Sequence, residues 1–284
     1  MKPVRRNRTL LAKVHVTLTI MVMVSDALAH GDAHELIISV SGLIAESPSD
    51  AKLILRRAEL NLEHGDLTAA ETDFLQAHKL QPKLAVVNLG LARIRTAQGR
   101  PKEAIKLLNT FLSLTPSHAS GRVLRAELLE KNGEWKKAEL DLRAAAAASS
   151  EPQYATLHAQ LLERHGQAME AVRCLDQACQ RSGRIPVLEQ LALDIQERAG
   201  NTEGALKRLN HLVSSEPRPD IWLIRKARLL EKSGKAEEAK ATWDQAATAH
   251  EKIPPHKRET KSNLALAREI EAARSTIAND NPSK

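Results

Sequence analysis

Two histidines, His30 and His34, fall in the stretch HGDAHE. If the chain is cut after Ala29, His30 becomes the mature N-terminus. Its free amine and imidazole, with the imidazole of His34, then form a nitrogen-donor set of the kind Cu(II) prefers. The competing reading is a polar leader in which Asp32 caps a following helix. The two cysteines, Cys174 and Cys179, lie five apart. On a helix five residues rotate by about 500°, so the side chains diverge by roughly 140° and cannot readily bridge. Small packing thiols are the simpler reading, with an intermolecular disulfide as the alternative. The sequence holds no G-x4-G-K-[ST], G-x-S-x-G, H-E-x-x-H or G-x-G-x-x-G. No Ser, Cys or carboxylate sits beside a His in a pattern that specifies nucleophile and base. The 35 acidic residues read as solvated helix faces. The expectation is a non-enzyme with no cofactor, and with no metal beyond the speculative His30/His34 pair.

The N-terminal 29 residues read as a targeting segment. Lys2, Arg5, Arg6, Arg8 and Lys13 form a basic n-region, and Val14 to Val24 is a mostly apolar run too short to span a bilayer comfortably. Ala27-Leu28-Ala29 then fits a small-x-small cleavage site. A cleavable signal peptide over 1–29 places the mature chain in the periplasm or outside the cell, with no membrane span left after cleavage. The alternative is an uncleaved signal anchor. The cut also changes the charge. The chain is +7, the segment carries five basic residues and Asp26, and the mature chain is therefore +3. Aromatics are 2 % of the chain, too few for a base-stacking platform. Nucleic acid is thereby set aside as a partner. Ala, Leu, Glu, Lys, Arg and Gln, all strong helix formers, dominate the rest.

Those residues are organised by a repeat. Gly65, Gly99, Gly133, Gly166, Gly200 and Gly234 are spaced 34, 34, 33, 34 and 34. Five residues after each comes Ala70, Ala104, Ala138, Ala171, Ala205 or Ala239. Seven before stands Ala58, Ala92, Ala126, Ala159, Leu193 or Ala227, and nine after stands Phe74, Leu108, Leu142, Leu175, Leu209 or Trp243. Pro82, Pro116 and Pro217 close their repeats 17 residues after the glycine. Each column has a physical reason. The glycine takes the left-handed conformation that turns one helix into the next. The small residues lie where two antiparallel helices cross, and the large one fills the space between pairs. Proline stops the second helix. A single pair cannot bury its own apolar face, so stacking is obligatory.

The stretch LRRAELNLEHGDLTAAETDFLQAHKLQP (55–82) resembles the tetratricopeptide repeat (TPR) family in its small residue, Gly, Ala, aromatic, Ala and Pro. The family's Trp and Tyr positions on the first helix are taken by Leu and Ile. The resemblance implies an all-α, right-handed solenoid of six helix-turn-helix repeats, at 51–84, 85–118, 119–151, 152–185, 186–219 and 220–253. It also implies a scaffold that binds a peptide or helix of another protein in the groove lined by first helices. Carried over by position, that groove is lined by Leu55, Leu89, Leu124, Leu157, Leu191 and Ile224. Beside them run Arg56, Glu59, Arg93, Glu127, Gln160, Asp194 and Arg228. Glu127/Lys131 and Asp194/Arg198 read as i,i+4 pairs. The Lys/Asn clamp with which some relatives hold a chaperone's terminal carboxylate has no counterpart here. Leu193, large where the column is small, implies a wider helix crossing in the fifth repeat.

The ends depart from the repeat, as a solenoid requires. Residues 30–50 read as a capping helix packing through Leu36, Val40 and Leu43. Pro254-Pro255 breaks the array, and 254–284 reads as a capping helix with Leu266, Ile270, Ala273 and Ile277 on one stripe, then a polar tail. One junction is irregular. A run of five alanines, Ala144 to Ala148, precedes Ser149-Ser150-Glu151-Pro152. A slightly longer helix end absorbs this locally; a bend between two halves is the alternative.

Overall fold

The protein is described by a computed structural model over residues 34–279, with side chains to Thr276. The signal segment, His30, Asp32 and the side chain of Ile277 lie outside the described residues. Among the described residues all regular structure is helical, and no helix is long and apolar enough to cross a membrane. The helices are α1 (34–46), α2 (Ala51–His64), α3 (Leu67–Leu80), α4 (Ala85–Ala97), α5 (Pro101–Leu114), α6 (Ala119–Lys131) and α7 (Trp135–Ala148). They continue as α8 (Pro152–Arg164), α9 (Ala168–Ser182), α10 (Pro186–Arg198), α11 (Thr202–Ser215), α12 (Pro219–Lys232), α13 (Ala236–Glu251), α14 (Pro255–Arg258) and α15 (Lys261–Asn279). The chain parts into two compact units at Ala148/Ser149. Each is a short α-solenoid of helix pairs.

The turn within each pair is the same chemistry six times. Gly65 and Gly133 have φ of +87° and +81°, and the other four repeat glycines are also positive. The residue after each glycine donates its N–H five residues back, as in Asp66 to the Asn61 carbonyl at 2.9 Å and Glu134 to Leu129 at 2.8 Å. This bond closes an otherwise orphaned helix end. N-caps secure several starts: Asp50 accepts from Lys52 N at 2.8 Å, and Asp66 accepts from Ala69 N at 2.9 Å. The alanines of both crossing columns are buried, as are all six large residues nine after the glycine.

In unit 1 the α1 cap turns Val40 and Ile44 onto a core with Ile54, Phe74 and Ile94. Here the sequence reading needs correction. Leu36 and Leu43 are about half exposed, because the i,i+4 pair Val40/Ile44 is the stripe that meets α2 and α3. A second core joins Leu89, Leu108, Phe111 and Leu128. In unit 2 Leu193 is fully buried among Ala205, Leu209 and Leu212. Its bulk accompanies the loosest of the six helix pairings, α10 with α11. The α15 cap lays Leu266, Ile270 and Ala273 on Leu223, Ile224 and Trp243.

The irregular junction is not a lengthened helix. α7 has 14 residues, as do α3, α5 and α11. What changes is the role of proline. Pro82 and Pro116 follow second helices in unit 1, whereas Pro152, Pro186 and Pro219 occupy the first position of first helices in unit 2. There the missing N–H is no loss and the fixed φ suits the helix.

Candidate functional site

In unit 1 the first helices α2 and α4 lie side by side and leave a cleft of about 360 Å³. Its floor is Leu89, Gly90 and the Phe74 ring, and its rim carries Glu59, Glu63 and Arg93. Three residues expected in the groove, Glu59, Leu89 and Arg93, are therefore brought together. Gly90 makes the floor possible. The Phe74 ring, 1 % exposed, lies flat on the α4 backbone, and a Cβ on residue 90 would meet its Cε2 at 2.6 Å. The next repeat does the same less tightly: a Cβ on Gly121 would meet Phe111 Cε1 at 2.7 Å. An aromatic on one second helix thus fits a glycine on the next first helix. Glu59 is held loosely by Arg56 at 3.7 Å, both partners well exposed.

The remaining groove positions divide by environment. Leu55 and Leu124 are half-buried against the two unit 1 cores, and Glu127 is exposed. In unit 2, Leu157, Gln160 and Leu191 are half-buried. Ile224 is 2 % exposed inside the core beneath α15. It packs, and offers no surface to a partner. The polar row of unit 2 also differs from expectation. Asp194 pairs with Arg225 on the following first helix, not with Arg198. Arg225 also donates to Glu197, Nε to Oε1 at 2.8 Å. Arg198 reaches back to Glu163 on α8 at 2.7 Å, and Arg228 reaches forward to Glu269 on α15 at 2.5 Å. These pairs form a ladder from α8 through α10 and α12 to the cap. Asp194 and Arg228 thus act first as staples between neighbouring helices. Burial works against the charge on Arg225, and hydrogen bonds to Glu197 and Asp194 more than compensate, so its pKa is raised.

Sequence reasoning missed the buried ion pairs. Arg57 grips Asp73 with Nε–Oδ2 and Nη2–Oδ1 both at 2.8 Å, and Asn61 donates to the same carboxylate at 3.2 Å. Arg125 grips Asp141 at 2.7 and 2.6 Å, with Arg122 adding a bond of 3.0 Å. Asp73 and Asp141 are both buried. The signal was present, since Arg57/Asp73 and Arg125/Asp141 recur 68 residues apart, two repeat periods. The outer Arg95–Glu71 pair, Nη1 to Oε2 at 2.9 Å, joins α4 to α3. The hydrogen bonds that Arg95 donates to Glu71 lower the Glu71 pKa and raise the Arg95 pKa.

For metal chemistry the structure offers little. The ring centroids of His34 and His64 are 6.5 Å apart. Among the described residues no three His, Cys, Asp or Glu side chains group as a metal site. Cys174 and Cys179 are both half-buried and are not bridged to each other.

Residues 61–120 and 95–161 match a family model described as tetratricopeptide repeat. No curated protein matches the sequence. Among solved structures, PilW, described as a widely conserved type IV pilus biogenesis factor, is similar at 20 % identity. The match covers 74 % of this chain and 94 % of that one, with a TM-score of 0.50. A tetratricopeptide repeat protein from Parabacteroides merdae ATCC 43184 is similar at 17 % identity over 87 % of this chain and 95 % of that one, TM-score 0.47. YrrB, described as a TPR protein with an unusual peptide-binding site, is similar at 14 % identity over 70 % and 97 %, TM-score 0.43. At these identities the likeness is one of fold.

Proposed function

Because the chain is a tetratricopeptide repeat protein, we propose that it is a non-enzymatic scaffold that holds a peptide or helix of a partner protein against its first helices. The observation that carries this reading is the unit 1 cleft: half-buried Leu62 and Val86 present apolar surface above the buried Leu89, Gly90 and Phe74, beneath a rim of mixed charge. Such a site accepts the apolar stripe of an amphipathic segment and orients its polar edge. Fold alone does not give a function, so the argument rests on that surface. Glu59 and Glu63 can take a basic residue and Arg93 an acidic one, which sets the direction in which a segment lies. Arg93 is exposed, so its guanidinium is accessible to a carboxylate.

The proposal includes export. It rests on the basic n-region, the apolar run and the Ala27-Leu28-Ala29 site. The scaffold then works in the periplasm or outside the cell. Two measurements test these parts separately. Mild crosslinking in the native cell, affinity purification and mass spectrometry should return a partner that is lost from the Glu59→Lys/Arg93→Glu variant. A partner retained by that variant would remove the cleft from the account. Fractionation and N-terminal sequencing should find His30 as the first residue outside the cytoplasm. A cytoplasmic chain beginning at Met1 would refute export.

A further inference from the structure

A different cleft, of about 500 Å³, lies in unit 2 where the start of α12 meets the end of α13 and the turn at Pro254. It belongs to the C-terminal cap and not to the first-helix surface. Its apolar lining is Pro217, Pro219, Ala249 and Ile253. Beneath it Asp220 is 1 % exposed. Arg218 grips that carboxylate, Nε–Oδ1 and Nη2–Oδ2 both at 2.8 Å, and His250 Nδ1 approaches it at 3.1 Å. Arg218 also donates to Asn263 Oδ1 at 3.0 Å, and Asn263 donates to the Lys257 carbonyl at 2.7 Å. The walls are therefore fixed to one another by a buried polar network that ties α12, α13 and the start of α15. Such networks rigidify a site when every member is satisfied.

Charge decides what such a cleft accepts. Lys252 and Lys257 line it and are exposed. Neither has a carboxylate within ion-pair distance among the described residues. The charge of Asp220 is cancelled by Arg218, so two ammonium groups stand uncompensated over an apolar floor. The arginines Arg198, Arg208, Arg225 and Arg228 of this unit, by contrast, are each stapled to a carboxylate. We propose that this cleft is a second binding site, for an acidic peptide segment in which an aliphatic side chain is flanked by Asp or Glu.

The chemistry fits that ligand class. A volume of this size lies within the usual range for ligand pockets, which combine apolar walls with a few charged groups. Burial of one aliphatic side chain supplies attraction without direction, and the lysines supply sign selectivity and steering. Lysine is a flexible point charge, suited to a carboxylate of variable position more than to a bidentate fork. No aromatic side chain lines the cleft, so a stacked nucleotide has no platform.

The test uses the full chain and two pools of blocked pentapeptides. One has Asp or Glu at both ends, Ala at positions two and four, and Leu, Ile or Val in the centre. The other carries Asn or Gln in place of the acids. The acidic pool should give saturable amide shifts at Ala249, Lys252 and Ile253. Its affinity should fall about tenfold in Lys252→Glu/Lys257→Glu and drop with added salt. The amide pool should leave the spectrum unchanged. The unit 1 variant Arg93→Glu should bind the acidic pool normally, so failure here is distinguishable from failure of the first-helix cleft. Four results would each overturn the proposal: no shift, equal shifts from both pools, binding unaltered in the double lysine variant, or shifts from phosphatidylglycerol vesicles but not from peptide.

Discussion

Replacing Gly90 by alanine puts the packing of unit 1 to a severe test, because two effects oppose each other with known sizes. Gly90 lies inside α4, where Gly→Ala normally stabilises a helix by about 0.8–1 kcal/mol. The new Cβ, however, would press on three carbons of the Phe74 ring, Cε2 at 2.6 Å and two others closer still. The ring cannot swing away, since it is 1 % exposed and packed among Ile54, Ala58, Ala70 and Ile94. Overpacking of this kind costs about 1–3 kcal/mol and occasionally more. With three ring atoms in conflict the upper part of that range applies, and the net effect is a loss of about 2 kcal/mol. For a domain of this size that is a fall in melting temperature of roughly 4–8 °C. The assay is urea denaturation of the wild type, Gly90→Ala, Phe74→Leu and the double variant. Phe74→Leu removes the ring face, so Gly90→Ala should become neutral or stabilising in that background. If Gly90→Ala proves neutral or stabilising in the wild-type background, the reasoning about glycine and aromatic is wrong.

Further outcomes follow from other contacts. Asp141→Ala leaves Arg122 and Arg125 without their shared carboxylate and should cost about 3 kcal/mol by denaturant titration. Gly133→Ala forces a side chain into a φ of +81° and should cost about 1 kcal/mol, with no gain from propensity, read as a shifted urea midpoint. Burial acts to raise the Asp220 carboxyl, but hydrogen bonds from Arg218 and His250 outweigh it, so its pKa is lowered in the fold. The stability it contributes is present above about pH 4, the usual value for an unfolded Asp, and is lost as pH falls through the lower folded value. Asp220→Asn should therefore destabilise at neutral pH and flatten the acid limb of a stability-versus-pH curve, measured by thermal melts between pH 2 and 7.

The repeat was readable because each of its columns answers to a strong local constraint. A positive φ admits little but glycine, and a close helix crossing admits little but alanine. Gly65 and Ala70 could thus be placed from spacing alone. The orientation of α1 could not, because Leu36, Val40, Leu43 and Ile44 are all apolar and only the surface of α2 and α3 selects among them. Of the expected groove residues, Glu59, Leu89 and Arg93 line one cleft. Ile224 is buried instead, since the same repeat position is capped by α15 at the end of unit 2. Asp194 was paired with Arg198 and Arg228 was placed in the groove row because i,i+4 spacing and repeat position are visible in sequence, whereas pairing to a helix 31 or 41 residues away depends on how repeats stack. The buried Arg–Asp pairs were legible only as a two-period recurrence, which one copy of each residue does not announce.

The central claim is that a partner lies on the first-helix surface of unit 1. Photocrosslinking in the native cell tests it most directly, with a benzophenone side chain introduced at Arg93 in the cleft or at Lys106, exposed on the second helix α5. The account predicts a discrete crosslinked partner from position 93, abolished by Glu59→Lys, and none from position 106. A partner captured from position 106 and not from position 93 would contradict it.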